Sequence, residues 1–285
     1  MAKVIGGIFT SHVPAIGGAI AKGLQEDPYW KPFFDGFKPI HEWLKHNKPD
    51  YVVTFSNDHG LNFFLDKMPT FAVGAAETYN NADEGWGLPL FKPVPGTPDL
   101  SWHIIETLVA EEFDITTCQE MLIDHALSIP LELAWPNRDS YDFKLVPVGI
   151  NTVQHPLPSP KRALALGRAV HKAIESFDKD AKVLIFGTGG LSHQLDGERA
   201  GFMNPDYDKF CMDNLPGNPD ALTKHSALDV VELSGSQGIE ILNWIAARGA
   251  MGDGVTEASR NYHIPISNTA AATVLMTTEY ALVAA

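Results

Sequence analysis

Three short apolar runs in this chain each lead directly into a histidine. Val4–Phe9 runs on to His12 in "VIGGIFTSH", Tyr51–Phe55 to His59 in "YVVTFSNDH", and Val183–Phe186 to His193 in "VLIFGTGGLSH". Short apolar runs bounded by Gly, Asn and Ser predict buried strands. Thr70–Val73 and Lys144–Val148 read the same way, whereas Pro39–His46, Leu100–Glu112, Lys161–Phe177 and Gly238–Arg248 carry helical spacing or good helix formers. Strand and helix patterns in alternation predict an α/β fold around a central, largely buried sheet. In open α/β sheets ligands sit beyond the carboxyl ends of the strands. The three histidines are therefore expected to converge at one sheet edge.

Charge and cysteine content narrow the function classes. With 35 acidic against 21 basic residues the 285-residue chain carries a formal charge of −14. Phosphate repulsion at that charge argues against a general nucleic-acid or anionic-membrane binder, though not against a small anionic substrate. Two cysteines, Cys118 and Cys211, suffice neither for a disulfide framework nor for a cysteine-based zinc site, and suit a reducing compartment. No basic-then-apolar leader opens the sequence, and no run reaches the ~18 apolar residues of a spanning helix. A soluble cytoplasmic protein is expected. Residues 80–99, rich in Gly and Pro, predict an ordered surface excursion.

Most of the 11 histidines have ordinary settings. His41, His46, His103, His171 and His225 sit in polar or helical contexts, and His155 lies in a loop. His59 closes the triplet Asn57-Asp58-His59, which suits either a strand-ending turn or a metal ligand whose second nitrogen is held by Asp58 or a backbone carbonyl. His125, in "IDHALSIP", either lines the same pocket or caps the next segment. Glu240 falls in "SGSQGIEILNWIAARG", a helix pattern apolar nearly all round and hence buried. A carboxylate there is costly unless paired or bound to metal, but a place near the helix start would favour negative charge anyway. Both readings stand. Two histidines and a carboxylate form the facial set of non-haem Fe(II) sites, and the same ligand types serve catalytic zinc. "GTGGLS" lacks the Lys-Ser/Thr of a phosphate loop and the glycine spacing of a dinucleotide fingerprint. Its glycines would allow close backbone approach or positive φ, leaving His193 to move protons at the cavity edge.

Taken in order, "SHVPAIGGAI" at 11–20, "NDH" at 57–59, "ADEGWG" at 82–87, "PDLSWHI" at 98–104, "GTGGLSHQLDGERAG" at 187–201, "SGSQGIE" at 234–240 and "YHIPISNTA" at 262–270 resemble the class III (LigB-type) extradiol ring-cleavage dioxygenases. Within them the resemblance is greatest to protocatechuate 4,5-dioxygenase β subunits and covers almost the whole chain. It implies a single catalytic domain over 1–285, with a central mixed sheet flanked by helices. It also implies Fe(II) held by His12, His59 and Glu240, and His193 as acid/base residue. His125, Ser267 and Asn268 would meet the substrate. The implied reaction is O2-dependent opening of a catechol-type aromatic acid to a muconic semialdehyde, with protocatechuate first and gallate or 3-O-methylgallate as the alternative. "GLNFFLDKMPTF" after "NDH" departs from the protocatechuate pattern, while "GGLSHQ" and "GERAGF" resemble the gallate-type enzymes. A small α subunit acting as lid, in a homo- or hetero-oligomer, is implied as partner. Two other functions are compatible with these residues: a zinc hydrolase using the same ligands, and a non-catalytic Memo-like protein.

Overall fold

The computed structural model of the chain describes residues 1–85, 92–137 and 139–282. Its first half runs β1 (Lys3–Thr10), α1 (Pro14–Ala21), α2 (Lys31–Asp35), α3 (Lys38–His46), β2 (Tyr51–Ser56), β3 (Phe71–Gly74), β4 (Thr78–Asn81), β5 (Val94–Pro95) and α4 (Pro98–Ala110). Next come β6 (Thr116–Cys118), β7 (Leu122–Ile123), α5 (His125–Ala134), β8 (Lys144–Ile150), α6 (Pro160–Ser176) and β9 (Lys182–Thr188). The chain then continues through α7 (Pro205–Asn214), α8 (Ala227–Ser234), α9 (Ile241–Ala250), β10 (Thr256–Ile266) and β11 (Thr269–Thr277). Short 3-10 turns at Pro219–Lys224 and Gly238–Glu240 precede α8 and α9.

Eight strands form one mixed sheet in the order β10-β11-β1-β9-β2-β8-β3-β6. Its centre, β1-β9-β2-β8, is parallel, and β11 and β3 pair antiparallel on either side. Alternate residues of one strand feed two separate cores. Val183 and Ile185 pack with α4, α6 and α9, while Leu184 and Phe186 pack with α1, α3 and α5. Burial on both faces is why these strands read as unbroken apolar runs. The five predicted strands and four predicted helices are all present, with ends shifted by at most three residues. The β10–β11 hairpin is an addition. β11 is nearly all buried, so its alanine-rich sequence lacks the period-two alternation that marks a half-buried strand.

The predicted excursion at 80–99 carries β4 and β5, which join β7 in a three-stranded sheet, and its residues 86–91 lie outside the described residues. Among the described residues no helix is long and apolar enough to cross a membrane.

Candidate active site

Strands β1, β9 and β2 are parallel neighbours, so their carboxyl ends open side by side. The segment after β1 delivers His12, that after β2 delivers Asn57 and His59, and that after β9 delivers Gly190 and His193. The 3-10 turn before α9 brings Glu240 up to meet them. Together with His125 these residues line a cavity of about 390 Å³.

Glu240 is the hub. Its Oε2 lies 3.4 Å from His12 Nε2 and 4.0 Å from His193 Nε2, and its Oε1 lies 3.6 Å from His59 Nε2. Donors about 2.1 Å from one ion and at right angles would stand about 3 Å apart, close to the spacings of His12 and His59 from Glu240. His12, His59 and His125 also bring ligand atoms within 4.8 Å of one another. His12 Nε2 is buried with no hydrogen-bond partner, which is the state expected of a nitrogen reserved for a metal. Its Nδ1 meets Thr188 Oγ1 at 3.2 Å. The residues fit a divalent transition-metal ion.

The surrounding charges keep the ligands in place. Asp124 Oδ2 accepts from both the backbone N–H and Nδ1–H of His59, each at 2.9 Å, leaving Nε2 as the ligating nitrogen. Burial lowers the His59 pKa, but Asp124 and Glu240 outweigh it and raise it to about 10. Burial alone would raise the Glu240 carboxyl, yet His12, His59 and His193 hold it well below its usual range. His125 is lowered, chiefly by burial.

The glycines of "GTGG" make Glu240 reachable. Gly189 has φ +141°, a conformation that L side chains rarely adopt. Gly190 N–H donates to Glu240 Oε2 at 2.8 Å, and a Cβ there would stand 2.5 Å from His193 Cε1. His193 donates from Nδ1 to the Leu191 carbonyl at 2.8 Å, so its Nε2 is the acceptor nitrogen on the cavity side. Glu240 combines both sequence readings: it sits at the helix start, and it is buried within the histidine cluster.

Several placements differ from expectation. Asp58 does not hold His59. It accepts from the backbone N–H groups of Gly60, Leu61, Asn62 and Phe63, which is the turn role open to that triplet. Asp124 takes the His59 role while capping α5 through Ala126 N–H, and its "IDH" repeats the Asp-His order of "NDH". Ser267 and Asn268 form the exposed β10–β11 turn and are not among the cavity-lining residues; the lining residue there is Thr269. Sequence reasoning missed Glu84, Thr152 and Asn243. Asn243 Nδ2 donates to Asn57 Oδ1 at 3.0 Å, and Asn57 Nδ2 to Glu240 Oε1 at 3.3 Å. Spaced this far apart in sequence, these residues left no local signal.

Comparison with known proteins gives the family. The family described as "Catalytic LigB subunit of aromatic ring-opening dioxygenase" matches residues 6–274. A gallate dioxygenase of Pseudomonas putida is 37% identical over 195 residues, covering 68% of this chain and 57% of that protein. A 2,3-dihydroxyphenylpropionate/2,3-dihydroxicinnamic acid 1,2-dioxygenase of Photorhabdus laumondii is 34% identical over 203 residues, 71% of this chain and 60% of that protein. The chain thus spans less than two thirds of the length of these relatives. The crystal structure of an uncharacterized Escherichia coli K12 protein superposes with a TM-score of 0.57 over 95% of this chain and 99% of that one. At 16% identity it speaks to the fold alone. Neither named relative is a protocatechuate enzyme, and the name of one of them carries the gallate alternative rather than the first expectation.

Proposed function

This chain belongs to the LigB family of aromatic ring-opening dioxygenases, and from that premise we propose that it opens a catechol acid of the gallate type beside its diol. Fe(II) is the proposed metal, with His12, His59 and Glu240 as ligands. The observation that carries this reading is the buried His12 Nε2, without a hydrogen bond and 3.4 Å from Glu240 Oε2, within a cavity that also holds His59 and His193. Fe(II) held there would supply open coordination positions and electron transfer between substrate and O2, both atoms of which end in the ring-opened product.

The protein's own groups hold and move protons. His193 Nε2 takes a proton from a diol hydroxyl as the substrate settles and returns it later, a task suited to imidazole near neutral pH. Asp124 keeps the His59 proton on Nδ1, so Nε2 stays available to metal. Neutral hydroxyl and amide groups are the proposed partners of the substrate carboxylate, and no Lys or Arg is among the described lining residues. Thr152 Oγ1, buried without a partner, is the leading donor, with Ser236 and Gln237 beside it. Ser267 and Asn268 reach substrate only if its far substituent extends past Thr269 to the hairpin turn. A lid subunit or a second copy would cover the mouth at Val153 and Leu195, both exposed.

Oxygen uptake by anaerobically prepared, Fe(II)-loaded protein tests the reading. Gallate is expected to turn over faster than protocatechuate, 3-O-methylgallate and 2,3-dihydroxyphenylpropionate, with uptake matching ring-opened product. No uptake with any of the four overturns it. Oxygen-independent hydrolysis with zinc as the active metal would favour the hydrolase reading instead.

A further inference from the structure

The loop after β4 sends one buried carboxylate into the site. Glu84 Oε2 accepts from the backbone N–H of His125 at 2.8 Å, and its Oε1 meets His125 Nδ1 at 2.6 Å. Both side chains are almost fully enclosed. The arrangement repeats the clamp of Asp124 on His59, where one carboxylate takes the same two groups of a histidine. The two clamps are linked through the chain, because Asp124 and His125 are neighbours at the start of α5. His125 is the first residue of that helix, and its N–H is one of the donors a helix leaves without an internal partner. Asp124 caps the next N–H, at Ala126, so Glu84 completes the cap while a helix start favours its charge.

A carboxylate accepts and cannot donate, so the Glu84 contact requires the His125 proton on Nδ1. In neutral imidazole the other nitrogen is then an acceptor, and this ring lines the cavity against His59, with ring centroids 4.0 Å apart. We propose that Glu84 is a positioning residue: from the loop after β4 it fixes the tautomer and orientation of His125, so that Nε2 accepts a hydrogen bond from a hydroxyl of the ring substrate. The proposal rests on the ring-cleavage reading above for the identity of that hydroxyl. It gives the "ADEG" part of the loop a role in the site, as the anchor of a substrate-facing histidine.

Zinc-loaded protein carrying isotope-labelled histidine gives a readout independent of turnover, with His125 assigned by the resonances missing in His125→Gln. The wild-type ring is expected to carry its proton on Nδ1. Glu84→Ala should give a mixture of tautomers or a proton on Nε2. In the Fe(II) enzyme, Glu84→Ala should lose about tenfold or more in kcat/KM, mainly through KM, with metal content near wild type and Tm lowered only as a lost helix cap lowers it. Glu84→Gln keeps one acceptor oxygen for Nδ1–H and should restore most of the loss; if the alanine protein does not fold, the wild-type ring decides, and a proton on its Nε2 overturns the proposal. An unchanged His125 tautomer in Glu84→Ala overturns the proposal, as does a changed tautomer with wild-type KM and kcat. Wild-type protein that opens no catechol would instead count against the ring-cleavage reading, leaving the tautomer to decide the clamp.

Discussion

The two ends of the central sheet both carry open cavities, and the larger one is at the other end from the histidines. The cleft at the amino end of β1 measures about 620 Å³, against about 390 Å³ at the carboxyl ends. Yet three of its cations already have protein partners. Arg168 pairs with both oxygens of Asp220, Lys172 reaches Glu111 at 2.8 Å, and Arg248 gives its donors to the carbonyls of Pro216 and Gly252. No described residue lining it has a buried polar side-chain atom without a partner, whereas His12 Nε2 and Thr152 Oγ1 at the smaller cavity are both unpartnered. Volume alone does not make a site. Where buried polar atoms without a hydrogen-bond partner line a cavity, a ligand can complete their bonding.

The comparison breaks at once if the histidine cavity proves dispensable. His12→Ala and Glu240→Ala should each abolish ring opening and reduce bound metal to near zero, measured by metal analysis after gel filtration. His193→Ala should keep its metal while kcat falls by about 10²- to 10⁴-fold, the usual range for a lost acid/base group. Turnover at the wild-type rate would remove His193 from the chemistry. Asp124→Asn retains the shape but weakens the clamp on His59, and metal affinity should drop by about 10- to 100-fold in a chelator competition.

At the opposite cleft the expected effects are small. Arg168→Ala should leave ring opening unchanged and cost no more than about 1 kcal/mol in denaturant unfolding, as an exposed pair does. Arg168 holds the Asp220 carboxyl below its usual value of 3.8. A lowered folded-state pKa means that this stabilisation is present above the unfolded value and lost as pH falls through the folded one. The wild-type and Arg168→Ala proteins should therefore differ least in acid, and a difference that grows toward low pH would contradict the pairing. Loss of activity in Arg168→Ala would erase the distinction between the two ends.

Local chemistry was enough to place the histidine cluster. A strand buried on both faces needs a continuous apolar run, so β1, β2 and β9 declared themselves, and His12, His59 and His193 follow them at short range. The buried character of Glu240 was legible for the same reason, since α9 is apolar around most of its circumference and buried throughout. Partnership between carboxylates and histidines was not legible. Asp58 stands next to His59 in sequence but turns away to bind the following backbone, while Asp124, 65 residues on, holds the ring. Glu84 likewise reaches His125 across 41 residues. The β10–β11 hairpin shows the same limit: Ser267 and Asn268 occupy its exposed turn, and Thr269 faces the cavity. Hydrophobic periodicity is a property of neighbouring residues and survives in one dimension. Which buried charge meets which imidazole depends on how separate loops pack at one sheet edge, and the tertiary structure alone decides that.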